Sequence, residues 1–336
     1  MMKKYFGALT LISTLLLAGC DNSPTPEAQA TTQSINATQH FEKGLSDYQA
    51  SPPDYVSAAD HFQKAAEQGN IDAQLYLAAL YESGLGVEQS WPKAIHWFKS
   101  AATQGSLPAQ YQLGLIYGKG EGVEQSRSEA LYWLTLAAEQ GEADAQHQLG
   151  WLYMEESEHS QASAQSALKW FQAAAEQGHA SAQNMLGWLY ENGVDGQPDL
   201  NEAIKWYQVA AEQSNVYALN NLGWFYWQGK DGKPDKEKAL HYFTQAAELG
   251  DNDAQLNLGL IYFQGDGVPV SIELAQKWFM RAAEQNNAYA QYNLGWLIQK
   301  GQVAQTSHHA ARYYFQLACD NGLQQACLAL KAQNEP

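Results

Sequence analysis

The chain has 336 residues, of which 45% are hydrophobic, and a formal net charge of −17. An acidic surface repels nucleic-acid phosphates, and no cluster of Lys and Arg relieves the repulsion, so the composition argues against nucleic acid as a partner. The same charge argues against flat adsorption on anionic lipid.

The first twenty residues have the layout of an export signal. Lys3 and Lys4 form a positive start, an apolar run follows, and small residues end it. The run is too short to span a bilayer comfortably. Its ending, Leu-Ala-Gly-Cys at 17–20, resembles the bacterial lipoprotein signal. The resemblance implies that residues 1–19 are a signal peptide and that Cys20 is the lipidated mature N-terminus. A plain cleaved signal with an incidental cysteine is the alternative.

The residues after the cysteine predict where the protein is held. In enterobacterial lipoproteins an aspartate at this position usually retains the protein in the inner membrane, so the resemblance implies that Asp21 is a sorting residue. The expected location is the bacterial cell envelope, facing the periplasm, with the outer membrane as the alternative. Residues 20–37 are rich in Pro, Thr, Ser, Gln and Ala, and this composition predicts a disordered tether.

From residue 38 onward the chain is dominated by a repeat of about 36 residues. The string A-A-E-Q-G or a near copy recurs, followed by A-Q and then by L-G-(W or L)-(L, I or F)-Y. The copies of the first string begin at Ala65, Ala101, Ala137, Ala174, Ala210, Ala246, Ala282 and Ala318. A unit this short cannot bury its own apolar face, so neighbouring units must stack and share an elongated core.

Residues 106–141 illustrate one repeat. Apolar residues at helical spacing, among them Leu113, predict a first helix, helix A, and Gly114 lets the partner helix approach closely. A glycine-rich turn leads to a second helix, helix B, which Gly141 ends in a left-handed cap. The pattern predicts an all-α solenoid of about eight antiparallel helix pairs over residues 38–322, of which the first is degenerate.

Two segments depart from this pattern. The repeat 142–178 has no glycine in its turn, and the polar residues 155–164 predict a longer, protruding loop. The last residues, 323–336, are expected to form a capping helix and a tail.

Two cysteines remain besides Cys20. In register, Cys319 replaces the second alanine of the A-A pair and Cys327 replaces the glutamine of A-Q. Those positions pack against each other in an antiparallel helix pair, so an exported compartment predicts a disulfide between them. Two buried free thiols are the alternative. A metal site is poorly supported, because no further Cys or His accompanies them at ligand spacing, and no metal or cofactor is predicted.

Together these motifs resemble the Sel1-like repeat, a relative of the tetratricopeptide repeat. The alanine pair, the Leu-Gly-x-Leu-Tyr motif, the Gly-x-Gly-Val turn and Lys-Ala-x-x-Trp, as in Lys93–Trp97, carry the resemblance over residues 38–332. It implies a superhelix of helix pairs that acts as a scaffold or adaptor, with a protein or peptide of the cell envelope as its partner.

The resemblance also implies which side chains line a concave groove. In the tetratricopeptide relatives helix A lines that groove, and the residues two before and two after the repeat leucine point into it. The residues predicted for groove binding, including some one turn further on, are Tyr111, His147, Trp151, Asn184, Trp188, Asn220, Trp224, Trp227, Phe263, Tyr292 and Trp296. Aromatic rings supply contact area, and amides can pair with a peptide backbone or with sugar hydroxyls. Packing between adjacent helix pairs is the alternative for the tryptophans.

Catalytic signatures are close to absent. No H-E-x-x-H, G-x-S-x-G or phosphate-binding loop occurs in the sequence. Ser90-x-x-Lys93 and Ser166-x-x-Lys169 match the serine–lysine element of penicillin-recognising enzymes, but both lie where caps of helix B are expected. We therefore predict a binding protein that is not an enzyme. One alternative is β-lactam binding or hydrolysis, because cysteine-rich relatives share the spacing of the C-terminal cysteines. The other is glycan binding in polysaccharide export or cell-wall biogenesis.

Overall fold

A computed structural model describes residues 26–157, 161–193, 197–303 and 308–332. The predicted signal peptide, the lipidation residue Cys20 and the sorting residue Asp21 lie outside these residues. All regular secondary structure in the described part of the chain is α-helix, as the repeat predicts.

The described residues form seventeen helices, most of them 13 residues long. Their bounds are α1 Pro26–Gln49, α2 Tyr55–Glu67, α3 Ile71–Ser83, α4 Trp91–Thr103, α5 Leu107–Lys119, α6 Arg127–Glu139, α7 Ala143–Ser157, α8 Gln161–Glu176, α9 Ala180–Asn192, α10 Leu200–Glu212, α11 Val216–Gln228, α12 Lys236–Glu248, α13 Asn252–Gln264, α14 Ile272–Glu284, α15 Ala288–Gln299, α16 His308–Asp320 and α17 Gln324–Ala332. From α3 onward the odd-numbered helices up to α15 are the predicted A helices, and the even-numbered helices are the B helices.

The chain divides into two compact units, and the division falls inside α7. Unit 1 ends at Leu152 and unit 2 begins at Tyr153. Within each unit, consecutive helices pack on one another, from α1 through α6 in unit 1 and from α8 through α17 in unit 2. The predicted fold class, an all-α solenoid of helix pairs, is therefore confirmed within each unit.

Side-chain caps and left-handed residues set the helix ends. The N-cap of helix α11 is Asn215, whose Oδ1 accepts a hydrogen bond from the backbone N–H of Ala218 at 3.0 Å. Its C-cap is Gly229, which has a φ of 68°. After the B helices the left-handed position is held by glycine, as at Gly141 with a φ of 94°, or by Ser214 and Asn286 with φ values of 60° and 62°. The left-handed residue predicted at Gly141 is confirmed.

A glycine in helix A allows the two helices of a pair to approach closely. A Cβ added to Gly114 would lie 2.4 Å from Cγ of Leu134, and one added to Gly223 would lie 2.5 Å from Cδ1 of Phe243. Both distances are far below van der Waals contact, so only glycine fits. Phe243 is fully buried as a result.

The glutamine of the A-Q motif connects successive repeats. Gln255 is buried, its Nε2 donates to the carbonyl oxygen of Ala247 at 3.0 Å, and its Oε1 accepts from Nε2 of Gln285 at 3.0 Å. One side chain thereby bonds the preceding B helix and the residue that ends the following B helix. The same arrangement occurs for the pairs Gln74–Gln104, Gln110–Gln140, Gln183–Gln213 and Gln291–Asn321.

One repeat replaces both members of this glutamine pair. The residues at the corresponding positions are Leu219, which is buried, and Leu249, which is largely exposed. A leucine at the buried position alone would leave a glutamine side chain without its partner, which is costly in a partly buried site. The paired change avoids that cost.

The structure corrects two predictions about irregular segments. The tether was expected to run to residue 37, but α1 begins at Pro26, because the Ala, Gln and Glu residues of this stretch favour helix and Pro is tolerated in a first turn. The loop expected over residues 155–164 is also wrong, since α7 continues to Ser157 and α8 begins at Gln161. Glu, Gln and Ala extend both helices there.

Candidate functional site

In unit 2 the A helices are joined side by side through asparagines. Nδ2 of Asn221 on α11 donates to Oδ1 of Asn184 on α9 at 2.9 Å, and Nδ2 of Asn257 on α13 donates to Oδ1 of Asn220 on α11 at 3.4 Å. Helix α13 in turn packs against α15. We call these two contacts the amide pairs. They place the corresponding faces of neighbouring A helices next to each other.

Large aromatic side chains are exposed on this face. Trp188 is 40% exposed and Trp224 is 39% exposed, although both are large apolar groups. Tyr217 and Tyr289 are still more exposed, at 62% and 58%. With the half-buried Trp296 we call these five residues the aromatic A face.

Helical geometry explains why these residues share one face. Tyr217 precedes Trp224 by seven residues, and Tyr289 precedes Trp296 by seven, so each pair is two turns apart on the same side of its helix. The groove prediction missed both tyrosines, because it used only the positions nearest the repeat leucine. The seven-residue spacing in the sequence was the signal that would have found them.

Contacts with neighbouring residues hold the indole rings in place. The ring of Trp224 meets the buried Phe243 edge to face, with centroids 5.4 Å apart. Phe263 on α13 meets Trp296 on α15 in the same geometry at 5.6 Å, and Nζ of Lys300 lies 5.7 Å from the centroid of Trp296. These rings are therefore packed on one side and open to solvent on the other.

Two predicted groove residues are buried, so the prediction is corrected there. Tyr111 and Asn184 are 9% and 8% exposed. Tyr111 packs toward the next A helix, where it has a hydrogen bond with the side chain of Gln148, and Asn184 belongs to an amide pair. Residues two before the leucine thus face the neighbouring A helix as much as the open surface, which the sequence pattern alone does not reveal.

The remaining predicted residues differ in accessibility. Trp151 in unit 1 is 42% exposed, and its Nε1 donates to Nε2 of His147 at 3.1 Å. Tyr292 is half-buried against Phe315, with ring centroids 5.6 Å apart. Trp227, Phe263 and Asn220 are also half-buried.

The A helices of unit 2 carry almost no charge. Helices α11 and α15 contain no Asp, Glu, Lys or Arg, and α9 and α13 contain only Glu191 and Asp253. Glu191 is already engaged, because it accepts a hydrogen bond from the hydroxyl of Tyr207 at 2.6 Å and forms an ion pair with Lys230. Each of the B helices α10, α12, α14 and α16 has at least two charged residues. The aromatic A face therefore has little charge, although the exposed Asp253 on α13 lies at the position that corresponds to Tyr217 and Tyr289.

The A helices of unit 1 are different. Asp72 and Glu82 lie on α3 and Lys119 ends α5. Burial raises the pKa of Asp72. Burial and the neighbouring Glu121 raise the pKa of Glu82, while Lys119 acts in the opposite direction. On the A helices of unit 1, therefore, charged groups interact with one another.

Other candidate sites carry no reactive arrangement. Cys319 and Cys327 form a disulfide that joins α16 to α17. Nζ of Lys93 lies 5.0 Å from the ring centroid of Tyr81, and the hydroxyl of Ser166 donates to its own helix. Among the described residues, no group of three or more His, Cys, Asp and Glu side chains is placed to hold a metal ion. No helix in the described part of the chain is both long and apolar enough to cross a membrane.

Within each unit the fold is an α-solenoid of helical hairpins. Sequence comparison matches the Sel1 repeat eight times, and the chain belongs to the Sel1 repeat family. The matched segments are residues 39–70, 71–106, 107–142, 143–179, 180–215, 216–251, 252–287 and 288–323. The resemblance inferred from the sequence motifs is thereby confirmed.

The chain is also similar to solved structures. A Sel1 repeat protein from Oxalobacter formigenes is 28% identical, covers 97% of this chain over 98% of its own length, and superposes with a TM-score of 0.77. The protective antigen c5321 of uropathogenic Escherichia coli, with an SLR fold, is 28% identical over 91% of this chain and 74% of its own, with a TM-score of 0.45. Yeast Tom70, at 16% identity over 96% of this chain and 66% of its own and a TM-score of 0.50, shares the fold alone. No curated protein matches the chain.

Membership of this family defines the broad class of function. Sel1 repeats form scaffolds that typically mediate protein–protein interaction, and proteins built from them are generally not enzymes. Which partner a solenoid binds depends on a few surface side chains that the repeat pattern leaves free.

Proposed function

We propose that this protein is a lipid-anchored periplasmic scaffold that holds a segment of a protein partner on the A-helix face of unit 2. The observation that carries the proposal is the exposure of aromatic side chains on that face, since rigid rings supply much contact area at a small cost in entropy. Scattered exposed apolar residues are ordinary on protein surfaces, whereas the tryptophans here occupy one position on α9, α11 and α15 and the tyrosines another on α11 and α15.

The N-terminal sequence supports the anchoring part of the proposal. The apolar run that ends in Leu-Ala-Gly-Cys supplies the lipid attachment residue Cys20, and Asp21 favours retention in the inner membrane. Mass spectrometry of the N-terminal peptide tests this directly. Acyl chains on Cys20, and release of a Cys20→Ala variant into the soluble fraction, support the anchor. An unmodified Cys20 in protein recovered from cells would overturn it.

A photo-crosslinking residue tests where the partner binds. Benzoylphenylalanine at Tyr217 or Tyr289 places the probe on the aromatic A face, and the same residue at Tyr313 on helix B of the same unit is a matched control, since that tyrosine is 59% exposed. We expect adducts with one identified envelope protein from the first two positions and none from the control. Adducts that form equally at Tyr313, or at none of the three positions, would contradict the proposal.

The non-enzymatic prediction has its own assay. Because Lys93 and Ser166 are engaged with a tyrosine ring and with a helix carbonyl, we expect no turnover of nitrocefin by the purified protein above the buffer background. Turnover that is lost in either the Ser90→Ala or the Ser166→Ala variant would instead favour the β-lactam alternative.

A further inference from the structure

We propose that the aromatic A face selects an extended polypeptide segment that carries no charged side chains. This inference rests on the proposed function, and it adds the chemical class of the segment and the way in which the face reads it. Three features of the described residues support it: the charge distribution, the unused groups of the amide pairs, and the spacing of the exposed rings.

The first feature is the low charge of the face, on which Asp253 of α13 lies at the position of Tyr217 and Tyr289 and accepts a hydrogen bond from Nδ2 of Asn287 at 3.5 Å. In a chain with a net charge of −17, the two A helices that carry most of the aromatic A face, α11 and α15, have no charged residue. Glu191 is held by Tyr207 and Lys230, and Lys300 lies over the ring of Trp296. A charged side chain of a partner that packs against Trp188 or Trp224 would lose water there without meeting a free opposite charge, and an unpaired charge is costly to desolvate. An uncharged segment avoids that cost.

The second feature is hydrogen-bonding capacity that the protein does not use. In the pair Asn220–Asn257 one N–H···O bond forms, so the Nδ2 of Asn220 and the Oδ1 of Asn257 have no other partner among the described residues. Asn293, at the position on α15 that corresponds to Asn257, makes no side-chain hydrogen bond within the described part of the chain. A carboxamide offers a donor and an acceptor in one plane, as a peptide unit does, so these groups match a peptide main chain.

The third feature is the spacing of the rings. Neighbouring packed helices lie about 8–10 Å apart, so the four A helices α9, α11, α13 and α15 extend over about 25–30 Å. An extended chain advances about 3.3 Å per residue, and a segment of about eight or nine residues would reach from Trp188 to Trp296. Tyr217 and Tyr289 widen the face beyond this line, because each lies two turns from the tryptophan of its own helix. Side chains of such a segment would pack on the rings while its main chain pairs with the amides.

Selection from a peptide library tests the inference on the full chain. A random dodecapeptide library displayed on phage is selected on the immobilised protein, and enriched peptides are synthesised with a fluorophore for anisotropy titration. We expect the enriched peptides to be depleted of Asp, Glu, Lys and Arg relative to the unselected library. We also expect substitution of Trp188 by alanine to raise the Kd about tenfold or more, as is typical for a buried aromatic contact.

A double charge variant and a single control variant separate selectivity from folding. Gln228 and Gln264 are exposed at the end of their A helices, so Gln228→Glu with Gln264→Glu places two charges beside the aromatic A face. Gln245→Glu makes the same chemical change at an exposed site on helix B of the same unit. We expect the double variant to bind the uncharged peptide about tenfold more weakly and the control to bind it as the wild type does, with both unchanged in melting temperature.

The outcomes distinguish the inference from the proposed function. Enriched peptides that are rich in charge but still depend on Trp188 would overturn the uncharged segment and leave binding at this face intact. Peptides that bind independently of Trp188 would overturn both. A third outcome is binding of neutral oligosaccharides such as cellohexaose or chitohexaose while no peptide binds at about 100 µM. That result would show that the face binds a glycan instead of a peptide.

Discussion

Five residues before the repeat leucine, the A helices of unit 1 have Asp72, Pro108 and Asp144, whereas those of unit 2 have Ser181, Tyr217, Asp253 and Tyr289. The buried positions of the same helices hardly differ. Leu113 and Leu222 are both fully buried, and each is followed by a glycine that touches the partner helix. The repeat motif therefore determines which residues are buried, whereas the exposed positions on helix A can vary and give each unit its own surface.

The largest effect should come from the shared interior, where the two units are expected to behave alike. Phe98 in unit 1 and Phe243 in unit 2 are equivalent core residues, 4% and 0% exposed. Replacing either by alanine should cost about 3–5 kcal/mol of local stability, because the transfer free energy is lost and a cavity remains. Hydrogen exchange should show the loss mainly in the repeats next to the substitution, since repeat arrays are stabilised by neighbours. Equal loss of protection in both units would contradict this independence.

The disulfide should stabilise α16 and α17, the last two helices of unit 2, beyond what helix packing provides. Replacing Cys319 and Cys327 by serine opens a loop with a sequence separation of 8 and should cost about 2–3 kcal/mol in the chain-entropy account. Hydrogen exchange of α16 and α17 should rise, with no change in unit 1. A variant whose α17 stays as protected as in the wild type would show that packing alone holds this helix.

The glutamine pairs should contribute similarly in both units. Gln255→Leu removes two hydrogen bonds, one to the carbonyl of Ala247 and one from Nε2 of Gln285, while Gly250 continues to bond both groups. We expect a loss of about 1–3 kcal/mol for the two bonds. Adding Gln285→Leu should recover part of that loss, because the chain already contains the pair Leu219 and Leu249 at these positions. A double-mutant cycle in urea measures the coupling. The cycle at Gln110 and Gln140 in unit 1 is the matched control, and strict additivity in both cycles would contradict the pairing.

The smallest effect concerns alkaline pH, and it distinguishes buried tyrosines from exposed ones. Burial, with a minor contribution from Asp144, raises the pKa of Tyr111 to about 12. Because the pKa is higher in the folded state, the stability from this tyrosine is complete below its ordinary pKa of about 10 and declines as the pH rises from there toward 12. Tyr111→Phe should therefore lose less stability between pH 9 and pH 11 than the wild type.

Tyr217 is the control for this comparison, because it is mostly exposed. Thermal melts at each pH measure the effect. A Tyr217→Phe variant with the same flattened pH profile as Tyr111→Phe would contradict the assignment to burial.

Most of the fold could be predicted from residues whose packing or backbone conformation is constrained locally. Leu113 and the apolar residues at helical spacing from it predicted helix A, Gly114 predicted the close helix pair, and Gly141 predicted a left-handed cap, all of which the structure bears out. The segment over residues 155–164 was misjudged because the absence of glycine was taken to indicate a loop, although Glu, Gln and Ala simply prolong both helices.

The candidate site was only partly predictable. Trp188 and Trp224 were named from the resemblance, but Asn184 and Tyr111 are buried, because a few tens of degrees around the helix axis separate the open surface from the contact with the next A helix. That angle depends on how neighbouring helices pack, which one repeat does not specify. Tyr217 and Tyr289 were missed because the motif does not constrain their positions.

The central claim is that unit 2 alone offers the binding surface, and fluorine NMR tests it most directly. The chain has 11 tryptophans, so 5-fluorotryptophan labelling with assignment by single substitutions reports on both units at once. On addition of a selected uncharged peptide, we predict that the resonances of Trp188, Trp224 and Trp296 shift while those of Trp151 and of the buried Trp133 do not. A shift at Trp151, or none at Trp188 and Trp224 under saturating peptide, would contradict the account.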